Sequence, residues 1–102
     1  MSKPTYALEI ARYKVNPNDD AATDEGAQQF FAVARDKLPG FVSAIRAQLG
    51  DGEWVDLVLW NSRAEAEEAA ARFPQIPELR ELASNFTEIV EMTHGRVAYQ
   101  TP

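Results

Sequence analysis

The sequence predicts an α+β fold of the ferredoxin-like type, with elements in the order β-α-β-β-α-β. Four segments have the apolar patterns of strands, and amphipathic segments with a helical period separate the first two strands and the last two. Glycine and proline mark the boundaries between these segments. A chain of 102 residues suits one compact domain, so residues 1–102 are predicted to form a single domain.

The first strand is predicted over residues 5–15 by its alternating apolar side chains. Its apolar residues lie at even-numbered positions at first, Tyr6, Leu8 and Ile10, and then at odd-numbered positions, Ala11, Tyr13 and Val15. Such a change indicates a β-bulge or a strongly twisted strand with both faces partly buried. Turn-forming residues at 16–20 then interrupt the chain.

The first helix is predicted to begin at Thr23, whose hydroxyl is suited to an N-cap. Apolar residues then recur with a helical period and form one stripe, Ala27, Phe30, Phe31, Ala34 and Leu38. Pro39 and Gly40 end this helix, because proline cannot continue it and glycine favours its C-terminus. A second strand follows over residues 41–49, with Phe41, Ser43, Ile45, Ala47 and Leu49 on one side.

A hairpin turn at Gly50-Asp51-Gly52 leads into the third strand, residues 53–60. Ser62 and Glu65 form a capping box at the start of the next helix. A narrow apolar stripe on that helix is suited to close packing on a sheet: Ala66, Ala69, Ala70 and Phe73. Prolines then interrupt the chain, a short helix starts at Glu78, and the last strand covers residues 87–93 before an apolar tail at 97–99.

The third strand is apolar on both of its faces. One side carries Trp54, Asp56, Val58 and Trp60, and the other carries Val55, Leu57 and Leu59. A strand with one face in water would alternate apolar and polar residues more cleanly. Because the chain is too short to cover the second face itself, we predict a symmetric homodimer through the sheet face. The alternative is a central strand whose outer face is screened by its neighbours.

Composition excludes several functional classes. Ten basic against sixteen acidic residues give a net charge of −6, which argues against a nucleic-acid or anionic-membrane partner. The chain has no cysteine and one histidine, without the ligand spacing of a metal site or the glycine pattern of a nucleotide site. Neither a signal peptide nor a membrane span of about 18 apolar residues is visible, so we expect a cytoplasmic protein.

Asp56 shares one side of the third strand with two tryptophans. Burial there would raise its proton affinity and make it a candidate base, unless an arginine or a backbone amide pairs with it. The favoured alternative is a structural carboxylate that pairs with Arg46 or Arg80. Trp60 is either an indole that stacks on an aromatic ligand or a core residue.

Two further side chains have both a functional and a structural interpretation. Arg80 lies between leucines on the short helix. It is either a cation that stabilises an oxyanion at the mouth of a pocket or a charged side chain in solvent. His94, which precedes Gly95, is a proton shuttle or a residue of a surface turn.

Three segments together resemble the antibiotic biosynthesis monooxygenase family, a branch of the dimeric α+β barrel superfamily. They are Leu38-Pro39-Gly40-Phe41, the strand 55–60 that leads through Asn61 and Ser62 into an alanine-rich helix, and Pro77-Glu78-Leu79-Arg80. Members that resemble this chain oxidise anthrone-type polyketide intermediates to quinones with O2, without metal or flavin. A second branch degrades haem, and its strand-one asparagine and helix histidine are absent here.

The resemblance carries over to four positions. A tryptophan that ends strand three and an arginine after the following helix are matched by Trp60 and Arg80. The asparagine four residues before that tryptophan is Asp56 here, and a tyrosine on the next helix is Ala66. Catalysis would need hydrogen bonds from the asparagine and the tyrosine, so these two changes bear directly on the activity.

The leading hypothesis is a cofactor-free monooxygenase that binds a small aromatic or polyketide-like molecule. Trp60 would stack on it, Arg80 would stabilise a phenolate or enolate, and Asp56 would orient it or accept a proton. The remaining predicted substrate contacts are Trp54, Phe30, Phe73 and His94. The alternatives are a non-catalytic barrel that binds a small molecule or serves as a structural dimer, and an isomerase or cyclase on the same scaffold.

Overall fold

The computed structural model describes residues 5–16 and 24–102. The strands are β1 (Ala7–Val15), β2 (Phe41–Gly50), β3 (Glu53–Trp60) and β4 (Phe86–Arg96). The helices are α1 (Asp24–Lys37), α2 (Arg63–Arg72) and the short α3 (Pro77–Leu82), which follows a 3₁₀ turn at Phe73–Gln75. The strands form one antiparallel sheet in the order β2-β3-β1-β4, so the predicted ferredoxin-like order is confirmed.

Local signals fixed several element boundaries as predicted. Gly40 ends α1 with a φ of 90°, and Gly52 turns the β2–β3 hairpin with a φ of 70°. Both values lie in the left-handed region that glycine adopts without steric cost. The Ser62 hydroxyl accepts a hydrogen bond from the Glu65 backbone N–H at 3.1 Å, which confirms the capping box. The predicted cap Thr23 and the turn residues 17–20 lie outside the described residues.

The predicted irregularity of the first strand is confirmed in part, because both faces of β1 are partly buried and its pairing with β4 contains two register shifts. Pairing of β1 with β3 runs without interruption from Ala7 opposite Trp60 to Lys14 opposite Glu53. The odd-numbered residues of β1 therefore share one face throughout its length. The irregularities lie in the pairing with β4, where Thr87 and Val90 are extra residues. The bulges thus belong to β4, which also extends beyond the predicted 87–93.

A second correction concerns β2. The register shifts between Phe41, which lies opposite Trp60, and Ser43, which lies opposite Leu59. This irregularity moves Phe41 onto the same face as Trp60, whereas Ser43 and Ile45 lie on the opposite face. The prediction that Phe41 and Ile45 share a side is therefore wrong.

The helices cover one face of the sheet, here called the inner face. Its buried residues pack with α1, α2 and α3 into the main core: Ala7, Phe30, Ala34, Leu38, Val58, Trp60, Ala66, Ala69 and Leu79. Even-numbered residues of β3 and odd-numbered residues of β1 point into this layer, because they lie opposite each other in the antiparallel ladder. These two sets are what β1 and β3 contribute to any site between sheet and helices.

The other face of the sheet, the outer face, is apolar on its β2–β3 side. Its apolar side chains are Leu8, Ile10, Ile45, Leu57 and Leu59, of which Ile45 is 64% exposed. Toward β4 the face carries the ion pairs Arg12–Glu91 at 3.3 Å and Lys14–Glu88 at 3.8 Å. Among the described residues nothing covers this face. The homodimer stays a prediction.

None of the described helices has the length and apolar character needed to cross a membrane. The predicted cytoplasmic location stays a prediction.

Candidate functional site

A cavity of about 450 Å³ lies between the inner face of the sheet and the helices. Six aromatic side chains dominate its wall, together with Tyr13: Phe30, Phe31, Phe41, Trp60, Phe73 and Phe86. Its volume is within the range of about 300–1,000 Å³ that is typical of small-molecule pockets. The size and the lining of the cavity therefore suit a small apolar or aromatic molecule.

Small side chains keep this space open. Alanine occupies five lining positions where a larger residue would fill the gap between the layers: Ala11, Ala34, Ala69, Ala70 and Ala83. Three of them lie on α1 and α2. A core packed to ordinary density would leave no comparable void, so the small side chains account for the space between the layers.

Asp56 is buried on β3, only 4% exposed, and both of its carboxylate oxygens are bound. Arg46 lies directly opposite on β2 and donates from Nε to Oδ1 at 2.8 Å and from Nη2 to Oδ2 at 2.9 Å. The Tyr13 hydroxyl donates to Oδ1 at 2.8 Å. Of the two interpretations of Asp56, the structure shows the ion pair with Arg46. The bidentate guanidinium and the phenol together occupy both oxygens of this carboxylate.

Aromatic rings enclose the guanidinium of Arg46. Its Cζ atom lies 5.0 Å from the ring centre of Phe30 and 5.1 Å from that of Phe31, with Tyr13 and Phe86 slightly farther away. Burial by itself lowers the pKa of Arg46. The hydrogen bonds and the charge of Asp56 raise it by a larger amount, so the net shift of this pKa is upward. Burial and the Asp56 charge raise the pKa of Tyr13. The network is thus held as a cation, an anion and a neutral phenol.

Glu9, which the sequence analysis did not single out, contributes a second carboxylate to the cavity wall. It lies on β1 directly opposite His94 on β4, and His94 Nε2 is 3.3 Å from Glu9 Oε1. Both side chains are largely buried, at 14% and 13% exposure. Burial raises the pKa of Glu9 above its ordinary value, although His94 and the Trp60 indole partly oppose this. Glu9 is therefore the carboxylate of the site whose proton affinity is increased.

Trp60 ends β3 in the cavity wall, 3% exposed, with its ring edge-on to Phe41 at 5.7 Å. Its indole nitrogen is buried and has no hydrogen-bond partner in the described part of the chain. The N–H lies near enough to Glu9 to lower the pKa of that carboxyl, without reaching hydrogen-bond geometry. A buried donor without a partner costs about 1–3 kcal/mol, which an oxygen atom of a ligand would recover.

The structure brings five of the seven predicted site residues to the cavity. Its wall includes Asp56, Trp60, Arg80, Phe30 and Phe73. Arg80 is exposed and has no ion-pair partner within residues 5–16 and 24–102, which places a free cation where the cavity meets solvent. His94 reaches the cavity only through Glu9. Trp54 packs instead on Tyr13 and Val15, in a separate small cluster.

Three residues of the site were missing from the predicted set: Glu9, Tyr13 and Arg46. Two of them could have been found from their position in the strand, because Glu9 and Tyr13 alternate along β1 with Ala7 and Ala11 and so share one face of the sheet. Within the described ranges, no three histidine, aspartate or glutamate side chains converge as metal ligands. Ala66, at the position that the resemblance assigns to a tyrosine, is fully buried in the core.

Comparison with known proteins finds relatives by structure alone. No family model and no curated protein matches the sequence. A candidate antibiotic biosynthesis monooxygenase from Bordetella bronchiseptica is similar, with 17% identity over 93% of this chain and 99% of that one, at a TM-score of 0.76. SnoaB, a cofactor-independent oxygenase from Streptomyces nogalater, matches at 18% identity over 96% of both chains, at a TM-score of 0.58.

An uncharacterized NIPSNAP-like domain protein from Burkholderia xenovorans also matches, at 19% identity over 98% of this chain and 92% of that one, with a TM-score of 0.58. Proteins with different names therefore share this architecture over nearly their whole length. At these identities the likeness establishes the fold. It confirms the predicted resemblance to the fold of the antibiotic biosynthesis monooxygenases, and the activity depends on the residues of the cavity.

Proposed function

We propose that this protein is a cofactor-independent monooxygenase of the antibiotic biosynthesis monooxygenase family, acting on a small aromatic or polyketide-like substrate. The observation that carries the proposal is the cavity itself. Its wall is aromatic, and within it the largely buried carboxylate of Glu9, whose pKa is raised, lies beside an indole N–H that has no partner in the part of the chain that the structure describes. A base next to a hydrogen-bond donor is the arrangement that converts a phenol or an anthrone into its anion.

The reaction requires only an acidic substrate and O2. Loss of a proton from the substrate carbon gives an electron-rich anion, which reduces O2 and forms a carbon–oxygen bond. Cleavage of the O–O bond with loss of water then converts the CH2 group into a carbonyl, so one O2 yields one carbonyl and one H2O. The apolar wall favours this chemistry because it excludes bulk water from the reactive anion.

Each cavity residue has a role in this proposal. The Trp60 indole packs against the substrate ring and donates its N–H to the substrate oxygen, while Phe30 and Phe73 contact the ring faces. Arg80 stabilises the anion electrostatically from the open end of the cavity. Asp56 fixes Tyr13 and Arg46 in place and, with both oxygens already bound, does not serve as the base. Trp54 and His94 make no direct substrate contact.

We also infer a homodimer through the outer face. The sheet has an apolar surface that residues 5–16 and 24–102 leave uncovered, formed by Leu8, Ile10, Ile45, Leu57 and Leu59. A symmetric pairing of two such faces would bury these side chains and would leave the cavity between sheet and helices accessible in each protomer. The proposed setting is the cytoplasm.

Oxygen consumption tests the proposed activity. With anthrone as substrate, we expect the wild-type protein to consume O2 and to form anthraquinone. Trp60→Phe removes the free N–H, and Arg80→Ala removes the cation at the opening, so each should lower the rate at least about tenfold. Arg63→Ala, which alters an exposed arginine paired with Glu67, is the matched control and should leave the rate unchanged. Absence of O2 uptake with anthrone and a panel of phenols would refute the oxygenase.

A second function is favoured by one specific observation. The pair Glu9–His94 supplies an acid and a base at the cavity without any need for O2. An isomerase or cyclase that moves a proton between carbon atoms would use the same arrangement. Turnover of an enolisable substrate under anaerobic conditions, with no oxygen incorporated into the product, would distinguish this function from the oxygenase.

A further inference from the structure

We propose that Glu9 is the catalytic base of the cavity, that His94 is its positioning residue, and that the substrate oxygen binds the N–H of Trp60. This proposal rests on the function proposed above and deepens it. It identifies the group that accepts the proton. It also defines the substrate class as a flat aromatic compound with an acidic C–H or O–H in conjugation with one oxygen.

The sheet register places these three side chains together. Along β1, Glu9 lies between Ala7, opposite Trp60, and Ala11, opposite Asp56. Across the ladder, its neighbour on β4 is His94, at 3.3 Å between Oε1 and Nε2. Because β1 lies between β3 and β4, Glu9 has the indole of Trp60 on one side and the imidazole of His94 on the other.

Glu9 is the carboxylate in the wall that remains able to accept a proton. Asp56, the other acidic residue of the wall, uses both oxygens for Arg46 and Tyr13. Among the described residues Glu9 has one side-chain hydrogen bond, between Oε1 and His94, and the N–H of Trp60 lies close to the carboxyl without reaching hydrogen-bond geometry. The second oxygen makes no hydrogen bond within this part of the chain, and it is the one that we assign to the substrate.

Charged and titratable groups surround Glu9 from each element that packs against it. His94 faces it from β4, Asp56 lies near it on β3, and Arg80 of α3 lines the same cavity. The Asp56 charge and burial favour the protonated form of Glu9, whereas His94 favours the ionised form. These opposing influences suit a group that must both bind and release a proton.

The proposed step is a simple proton transfer. The substrate C–H or O–H bond breaks, its proton binds the free oxygen of Glu9, and its electron pair moves onto the conjugated substrate oxygen. The N–H of Trp60, which has no hydrogen-bond partner among the described residues, donates to this oxygen. His94 holds Glu9 by its other oxygen and directs the free one into the cavity.

Hydrogen–deuterium exchange of anthrone tests the base separately from any oxidation. Anthrone is incubated with the protein in D2O under strictly anaerobic conditions, and deuterium in its CH2 group is followed by NMR. We expect wild-type protein to accelerate exchange and Glu9→Gln to lose about 100-fold or more of that acceleration, the usual contribution of a positioned base. Glu9→Asp, which keeps a carboxylate, should retain part of it.

The role of His94 is read from a pH profile. His94→Gln should keep measurable exchange but shift the apparent pKa of the rate upward, because the imidazole favours ionised Glu9. The matched control is Glu91→Gln on the outer face, which should leave both the rate and the profile unchanged. A His94 that only supports the fold would change the rate without moving the profile.

The outcomes separate the two proposals. Exchange that depends on Glu9 but occurs without O2 uptake in air would uphold the base and refute the oxygenase. A Glu9→Gln variant that keeps its thermal unfolding transition and exchanges within about threefold of wild type would overturn the base. Failure of wild-type protein to accelerate exchange at all would also overturn it.

Discussion

Two buried carboxylates on the inner face of one sheet differ in how fully they are bound. Asp56 pairs with Arg46 directly across β2–β3, and Glu9 pairs with His94 directly across β1–β4. Asp56 accepts three hydrogen bonds of 2.8–2.9 Å, whereas Glu9 has one contact at 3.3 Å. Both carboxylates thus lie opposite a basic side chain of a neighbouring strand. Hydrogen bonds from the described residues bind both oxygens of Asp56 but only one oxygen of Glu9.

This difference in hydrogen bonding indicates a structural role for Asp56 and a chemical role for Glu9. A fully paired ion pair in a low-dielectric layer fixes the geometry of the side chains around it, here Tyr13 and the phenylalanines near Arg46. Within the described ranges, one oxygen of Glu9 and the neighbouring indole N–H of Trp60 make no hydrogen bond, so both groups retain the capacity to bind a ligand. We therefore expect substitutions at Asp56 to change stability, and substitutions at Glu9 to change reactivity.

The largest expected effect is on stability, from Asp56→Ala. This change leaves the buried guanidinium of Arg46 without its anion and should lower the free energy of unfolding by about 3–5 kcal/mol. Urea denaturation measures the effect. Glu91→Ala, which breaks the half-exposed pair with Arg12, is the control and should cost less than about 1 kcal/mol.

A double variant keeps this prediction testable if Asp56→Ala does not fold. Replacing both partners with apolar residues, Arg46→Met with Asp56→Leu, removes the unpaired charge and should recover much of the lost stability. A double variant no more stable than Asp56→Ala would show that the ion pair itself, rather than the avoidance of a lone buried charge, stabilises the fold.

An intermediate effect is expected from Tyr13→Phe. The ring, which stacks on Phe86 at 4.0 Å between centres, is preserved, and only the hydroxyl that donates to Asp56 is lost. A hydrogen bond to a charged group contributes about 1.5–3 kcal/mol, so the free energy of unfolding should fall by that amount. Since Arg46 still binds both oxygens of Asp56, the loss should stay below that of Asp56→Ala. An equal loss would mean that the phenol, not the guanidinium, is the main partner.

The comparison also shows what the sequence could and could not predict. The strands, the capping box at Ser62 and the turns at Gly40 and Gly52 follow from local patterns, and these were confirmed. The pair Asp56–Arg46 was one of two alternatives, because choosing the partner requires the β2–β3 register. Bulges on β2 and β4 shift that register by single residues, and no local pattern located them.

Glu9 was missed for a related reason. An isolated glutamate in a strand is usually solvent-exposed, and no local pattern marks Glu9 as an exception. Only the continuous pairing with β3 shows that Glu9 belongs to the inner set with Ala7 and Ala11. The cavity itself depends on alanines from β1, α1, α2 and the turn after α3, whose proximity is a property of the tertiary structure.

The smallest expected effect is a pH dependence of stability that Glu9 alone contributes. Because burial raises the pKa of Glu9 in the folded state, the fold binds this proton more tightly than the unfolded chain does. The resulting stabilisation is complete below the unfolded pKa of about 4.5 and is lost as pH rises through the folded value. The free energy of unfolding of wild type should therefore fall relative to that of Glu9→Gln between pH 4 and the folded pKa.

Denaturation curves of wild type and Glu9→Gln at matched pH values measure this difference, in which the titrations of all other groups largely cancel. Glu91→Gln, measured alongside, should show no comparable trend, because its carboxylate is far more exposed. A difference between wild type and Glu9→Gln that is independent of pH would mean that Glu9 is not destabilised as an anion. The contrast with Asp56 would then reduce to the number of hydrogen bonds, and Glu9 would lose the raised proton affinity that suits it to act as a base.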